Sequence, residues 1–231
     1  HLLEYDDVMN SQREFIYRER NEILEGEDIS TKIKQYVSEV CERSAEFYTD
    51  GGRNPDEWDI DGLRQWLKSS YLVDLPEFDP GETPGREIGA MIERSLLDAY
   101  DAKERQIGVE NMRMLERLIS LQVIDTKWRE HLLNMDELRD GIWTVGYSER
   151  NPLVEYKLRG FQVFNEMLAV LKEDIIEFIF RAQVTEMVPE ERPAEYRPVG
   201  QEFHAEVEQF GMGNPVTQQA AAPGPAQRAA I

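Results

Sequence analysis

The chain of 231 residues carries 46 acidic and 26 basic side chains, a formal charge of −20, with 41% hydrophobic residues and a single cysteine, Cys41. That length and hydrophobic share suffice for one or two modest domains with a real core, while the charge repels phosphate backbones and argues against nucleic acid as a partner. One cysteine excludes an internal disulfide and a thiolate-rich zinc site, and it reads as a small buried thiol in a reducing compartment.

No run of about 18 apolar residues and no basic segment leading into a short apolar one is present, so neither a membrane span nor a signal peptide is expected, and cytosol is the expected compartment. The chain opens on His1, directly followed by a helical pattern without a capping signal, which reads as a fragment of a longer protein.

From residue 2 to about 25, Tyr5, Val8, Met9, Phe15, Ile16, Ile23 and Leu24 recur at three- and four-residue steps among charges of both signs, the pattern of a long, partly exposed helix. Gly26 interrupts it, and Ser30 is the expected N-cap of a second run through Ile33, Tyr36, Val37, Val40 and Phe47. Together, residues 1–48 read as one long helical element with a kink.

Residues 51–85 are dense in Gly, Pro, Asp and aromatics, with one short helix expected over 59–67, as in a small inserted subdomain. Its Trp58, Trp66, Tyr71 and Phe78 are expected to pack its core rather than line a pocket. Helical spacing returns over 86–107 through Ile88, Met91, Leu96, Ala99 and Ile107, with a break at Gly108.

The clearest pattern follows. Leu115, Leu118, Leu121, Ile124, Trp128, Leu132, Met135, Leu138 and Ile142 step by three or four, an apolar stripe on a helix of roughly 45 Å. Asn151 as N-cap, Pro152 at the first helical position and Glu155 near the positive end of the dipole then start a partner helix through Leu153, Tyr156, Phe164, Met167, Leu168, Leu171, Ile175 and Phe178. An antiparallel hairpin results, its tip loop running from the expected breaker Gly141 to Arg150. After Arg181 the composition turns to Pro, Glu, Gln, Ala and Gly, expected to be disordered.

Catalytic chemistry is not legible. Neither a Gly-rich loop ending in Gly-Lys-Ser/Thr nor a Gly-x-Gly-x-x-Gly turn occurs, so the chain alone is not expected to hydrolyse ATP. No Glu stands three residues before a His, as a di-iron bundle site needs, and His131 reads as a structural histidine on the hairpin. Asp6 and Asp7 point about 100° apart on a helix and cannot converge on one metal ion. What looks functional is the tip, where Trp143, Val145 and Tyr147 sit beside two glycines; folding back onto a neighbouring domain is the competing reading.

Leu2-Leu3-Glu4-Tyr5-Asp6-Asp7-Val8 with Gln12-Arg13, Leu121-Gln122, Asp125, Trp128-Arg129-Glu130-His131-Leu132, Met135-Asp136, Leu138-Arg139, Gly141-Ile142, Gly146-Tyr147 and Asn151-Pro152-Leu153-Val154-Glu155-Tyr156-Lys157 resemble the helical scaffold, wing and two-helix finger of the SecA preprotein translocase ATPase. The likeness covers residues 2–184 and is loosest over 51–85. It implies a mainly all-α fold: a scaffold at 1–48, a wing at 49–106, scaffold return and finger at 107–184, and a tail at 185–231.

The resemblance further implies a mechanical and regulatory module. It would couple ATP-driven motion to movement of an unfolded preprotein through the SecY channel and restrain the ATPase. Tyr147, with Val145 and Gly146, would be the fingertip that meets preprotein and channel. Trp128, Leu132, Met135 and Leu138 would serve finger packing and ATPase restraint, and Tyr5, Asp6, Asp7 and Arg13 scaffold contact to the nucleotide-binding domains.

ATP and Mg would belong to those domains, outside this chain, at the inner face of the bacterial plasma membrane, with a homodimer as a possible state. The family's tail often carries a Cys-rich zinc element that docks the SecB chaperone; this tail has no Cys, so neither zinc nor that docking is carried over. The alternatives are a free-standing helical adaptor binding a partner helix through its stripe, and a hydrolase whose residues the sequence does not reveal.

Overall fold

Six α-helices dominate the computed structural model, which describes residues 2–26, 29–49, 54–145 and 151–183; no strand occurs among the described residues. They are α1 (Leu2–Glu25), α2 (Ser30–Tyr48), α3 (Ile60–Tyr71), α4 (Gly85–Ile107), α5 (Val109–Val145) and α6 (Pro152–Arg181), with a 3-10 turn at Pro55–Glu57. The all-α expectation holds, and the residues expected as a disordered tail lie outside the described ones.

The first 48 residues form two helices rather than one kinked helix. Ile29, not Ser30, occupies the N-cap of α2, without a side-chain cap, because its own side chain is only 4% exposed and goes to the core. Lys32 closes the bend by pairing with Glu19 and Glu22 of α1, each at 2.7 Å, and Tyr36 Oη donates to Glu19 at 3.2 Å.

α2 lies against α4 through residues at helical spacing: Ile33, Val37, Val40, Cys41 and Ala45 on one side, Ile88, Gly89, Ile92 and Leu96 on the other, all buried. Small residues set the separation, since a Cβ on Gly89 would stand 3.4 Å from that of Ala45. Cys41 has no exposed surface, and burial pushes its thiol up to about 12, so it packs as an inert hydrophobe.

Asp59 caps α3 by accepting from the Gly62 N–H at 2.9 Å. Trp58 and Tyr71 are buried and Trp66 and Phe78 half-buried against the same core, so the aromatics pack as expected. Tyr71 reaches the Phe180 ring of α6 at 5.7 Å, and the core runs unbroken from α2 through α3 and α4 to α6.

α3 ends on Leu72 in the left-handed region, φ 60°, a conformation that costs a side-chain-bearing residue about 1–2 kcal/mol. Leu72 is 64% exposed, so its side chain offsets little of that cost. Leu72→Gly should therefore stabilise the fold by about 0.5–1 kcal/mol after the entropy of the freer unfolded chain is subtracted. A urea titration comparing the two chains checks this, and a lower midpoint for the glycine variant would contradict it.

Gly108, at φ 86° and ψ 150°, makes the sharp join between α4 and α5, a conformation open essentially to glycine alone. α5 is longer than expected, 37 residues or about 55 Å, because it runs straight through Gly141. α6 returns antiparallel along it, started as expected by Asn151, whose side chain accepts from the Leu153 N–H at 3.0 Å, with Pro152 in the first turn.

The stripe on α5 needs one correction: Leu118 is 64% exposed. Ile124, Met135 and Ile142 of the expected stripe are buried, and the same helix also buries Met112, Glu116, Ser120, Val123 and His131. The face drifts because the neighbours of α5 change along its length, from α4 near its start to α1 and α6 farther out.

Candidate functional site

The most specific assembly of side chains lies where α1 rests along the α5–α6 hairpin. Arg20 of α1 pairs with Asp125 of α5 at 3.0 Å, and Arg117 of α5 donates to the carbonyls of Ile23 (3.2 Å) and Gly26 (2.8 Å), holding the end of α1 where four carbonyls lack helical partners. Toward the other end of α1, Tyr5 lies over Tyr156 of α6 with ring centroids 4.8 Å apart. α1 thus runs antiparallel to α5 and parallel to α6.

Midway, three helices meet at one polar node. Gln12 of α1, 6% exposed, donates its amide to the Gly160 carbonyl of α6 at 3.1 Å, and its Oε1 stands 2.8 Å from His131 Nε2 of α5. Since that oxygen only accepts, the proton of His131 resides on Nε2. Nδ1 is buried without a hydrogen-bond partner.

The imidazole has no exposed surface and lies between the rings of Trp128 (5.5 Å) and Phe164 (5.4 Å); Phe15 of α1 meets Phe164 edge-on at 5.7 Å. Burial among these groups lowers the His131 pKa from its ordinary 6.5 to about 4, so the ring is neutral at pH 7. Gly160 keeps the helices close: a Cβ there would come within 2.9 Å of the Met135 methyl, which would have to swing aside.

At the base of the hairpin a second node ties α4 to α5 across Gly108. Arg113 pairs with Glu104 and, at 3.2 Å, with the fully buried Glu116, and donates to Tyr100 Oη at 3.0 Å; Tyr100 in turn donates to Glu116. Also at the base, Lys103 of α4 caps α6 by donating to the carbonyls of Phe180 (2.9 Å) and Ala182 (2.6 Å); farther out, Lys127 joins Asp174 of α6 at 2.8 Å and Lys172 of α6 pairs with Glu39 of α2.

The residues singled out from sequence divide into three groups. Tyr5, Met135 and Leu138 come together with Val8, Met9, Ile142 and Tyr156 in a small cluster of their own, Met135 buried and Leu138 half-buried, while half-buried Trp128 packs against the main core; Leu132 is half-buried. Asp6, Asp7 and Arg13 face outward on α1, Arg13 donating to Asn10 at 3.1 Å. Tyr147 and Gly146 lie outside the described residues, as does the side chain of Val145, the last residue of α5.

Gln12, Gly160 and Phe164 were not singled out as a site. Gln12 falls four residues after Val8 and four before Ile16, so helical spacing alone puts it on the buried face. Among the described residues no group of three or more His, Cys, Asp or Glu is placed to hold a metal, and no helix is long and apolar enough to cross a membrane. The arrangement positions helices against one another.

Residues 1–183 match the family model of the SecA wing and scaffold domain. The chain is 44% identical over 219 residues to the protein translocase subunit SecA of Leptospira interrogans, covering 93% of this chain and 24% of that protein. It is 41% identical to the Leptospira biflexa subunit (91% and 24% covered) and 38% identical to that of Pelotomaculum thermopropionicum (80% and 21%). It spans about a quarter of the length of these relatives.

Proposed function

This chain belongs to the SecA wing and scaffold family, and on that premise we propose that it is the rod and finger by which a SecA-type motor moves preproteins. Residues 1–48 act as scaffold, 49–106 as wing and 107–184 as scaffold return and two-helix finger. α1 receives motion from nucleotide-binding domains outside this chain, with Tyr5, Asp6, Asp7 and Arg13 as the contact, and the α5–α6 hairpin delivers it to an unfolded preprotein at the mouth of the SecY channel. Restraint of the ATPase passes through the finger packing of Trp128, Leu132, Met135 and Leu138.

The observation that supports this reading is the long docking of α1 on the hairpin, fixed at its middle by Gln12, His131 and Gly160 and at one end by Arg117. A helix of 37 residues clamped to a second of 30 and to α1 bends little, so a displacement at one end reaches the other. A free adaptor binding through the hairpin stripe is less well supported, because Leu121 and Leu168 are already packed on the chain's own core.

The fingertip assignment is tested by Tyr147→Ala in a full-length SecA-type protein carrying this segment. Thermal unfolding should change little, while transport of a secretory substrate into vesicles containing the SecY channel should fall severalfold. A photo-cross-linker at position 147 should couple to both the stalled substrate and SecY. Cross-links to neither, in an active protein, would overturn the assignment.

A further inference from the structure

We propose that the outer half of α1 parts from the outer ends of α5 and α6 while the rest of the fold stays closed, and that the Gln12–His131–Gly160 node is the latch of this opening. The inference rests on the reading of α1 as a transmission rod for its consequence, though not for its test.

The buried apolar side chains fall into two clusters. The larger joins α2, α3 and α4 to the inner parts of α1, α5 and α6; in the smaller, among the described residues, Met135, Ile142 and Tyr156 are buried, with Tyr5, Val8, Met9 and Leu138 leaning on it. Three buried side chains stabilise the outer contact far less than the larger cluster does the inner one, so the outer contact is the first to open.

The node stands at the boundary. Phe164, beside His131, belongs to the larger cluster, whereas Met135, one turn beyond His131, and Val8, one turn before Gln12, belong to the smaller. The inner end of α1 is held independently by the two bonds from Arg117. Opening beyond the node therefore leaves α1 anchored at its far end.

A buried polar node also makes the closed state nearly all-or-none. A small outward shift of α1 leaves the Gln12 amide, the Gly160 carbonyl and the His131 N–H partly unpaired before water can reach them, while a full opening hydrates them all. In the proposed machine this means that α1 and the finger move together while the node is made and separately once it breaks.

Hydrogen exchange read by mass spectrometry on the full 231-residue chain tests this. In the unaltered chain, urea well below the unfolding midpoint should leave amides of residues 6–12 and 156–160 exchanging through an opening with weaker urea dependence than that of 33–45 and 88–100. Gln12→Leu removes both hydrogen bonds of the node and should speed exchange in the outer segments by at least about tenfold, leaving the inner ones unchanged. His131→Gln, which keeps a donor for Gln12, should restore much of the slow exchange that His131→Leu loses.

Exchange that rises equally in all helices, or equal urea dependence of outer and inner segments in the unaltered chain, would overturn the proposal. The second reading needs no variant, so it decides the matter even if Gln12→Leu does not fold. None of these readouts involves transport, so failure here is distinct from failure of the Tyr147 test.

Discussion

Replacing Arg113 by Met should lower the free energy of unfolding by about 3–5 kcal/mol, more than a loss of its packing accounts for. Its guanidinium is the cation shared by Glu104 and the fully buried Glu116, and it also donates to Tyr100 Oη. Met fills much of the same volume but takes the guanidinium away from the fully buried Glu116 carboxylate. The pair is expected to be worth far less than either half suggests, since apolar residues can replace a buried ion pair at little cost. A double-mutant cycle with Glu116→Leu, read by urea denaturation, checks both points. The double variant should recover most of the loss, and a single-variant loss below about 1 kcal/mol would show that water reaches the carboxylate.

The second large effect is on acid stability. His131 is neutral in the fold, with its pKa lowered to about 4 by burial, and returns to about 6.5 when the chain unfolds. Between those values the unfolded chain binds the extra proton, so this contribution is complete above about pH 6.5, is lost as pH falls toward 4, and declines no further below that. The full span corresponds to about 3 kcal/mol. Carboxylates titrate in part of the same window, so the measurement is the difference between the chain and His131→Gln, each denatured by urea at steps from pH 4 to 7. A difference that stays flat across that range would mean that the ring is protonated as easily in the fold as outside it.

The sequence disclosed the helices well because their signals are local. Asn151-Pro152 starts α6 where it predicts, and three- and four-residue spacing identifies α2, α4, α5 and α6. It failed where a local preference is weaker than what surrounds it. Gly141 costs an established helix only about 1 kcal/mol, and α5 continues through it. Ser30 is the better cap by chemistry, yet burying Ile29 moves the boundary by one residue.

The site was less legible than the fold. Spacing marks apolar residues on a helix face but cannot say which neighbour covers them, so it puts Leu118 in the seam, whereas Glu116, Ser120 and His131 lie inside it. The partners that make those polar positions tolerable are remote in the chain. Gln12 answers His131 from 119 residues away and Gly160 from 148, and no local pattern reports such pairings.

Those separations bear on how the protein is made. Of the six helices α1 is synthesised before the others, and the carbonyl that receives its Gln12 amide follows 148 residues later. At about 5–20 residues per second, Tyr5, Val8, Met9 and Ile16 wait roughly 7–30 s without the surface they will cover. The loop to be closed is long, whereas α2 with α4 and α5 with α6 are near neighbours along the chain that can pair on emergence. Docking of α1 on α6 thus follows those nearer pairings, and in the interval the apolar stripe of α1 is open to a chaperone.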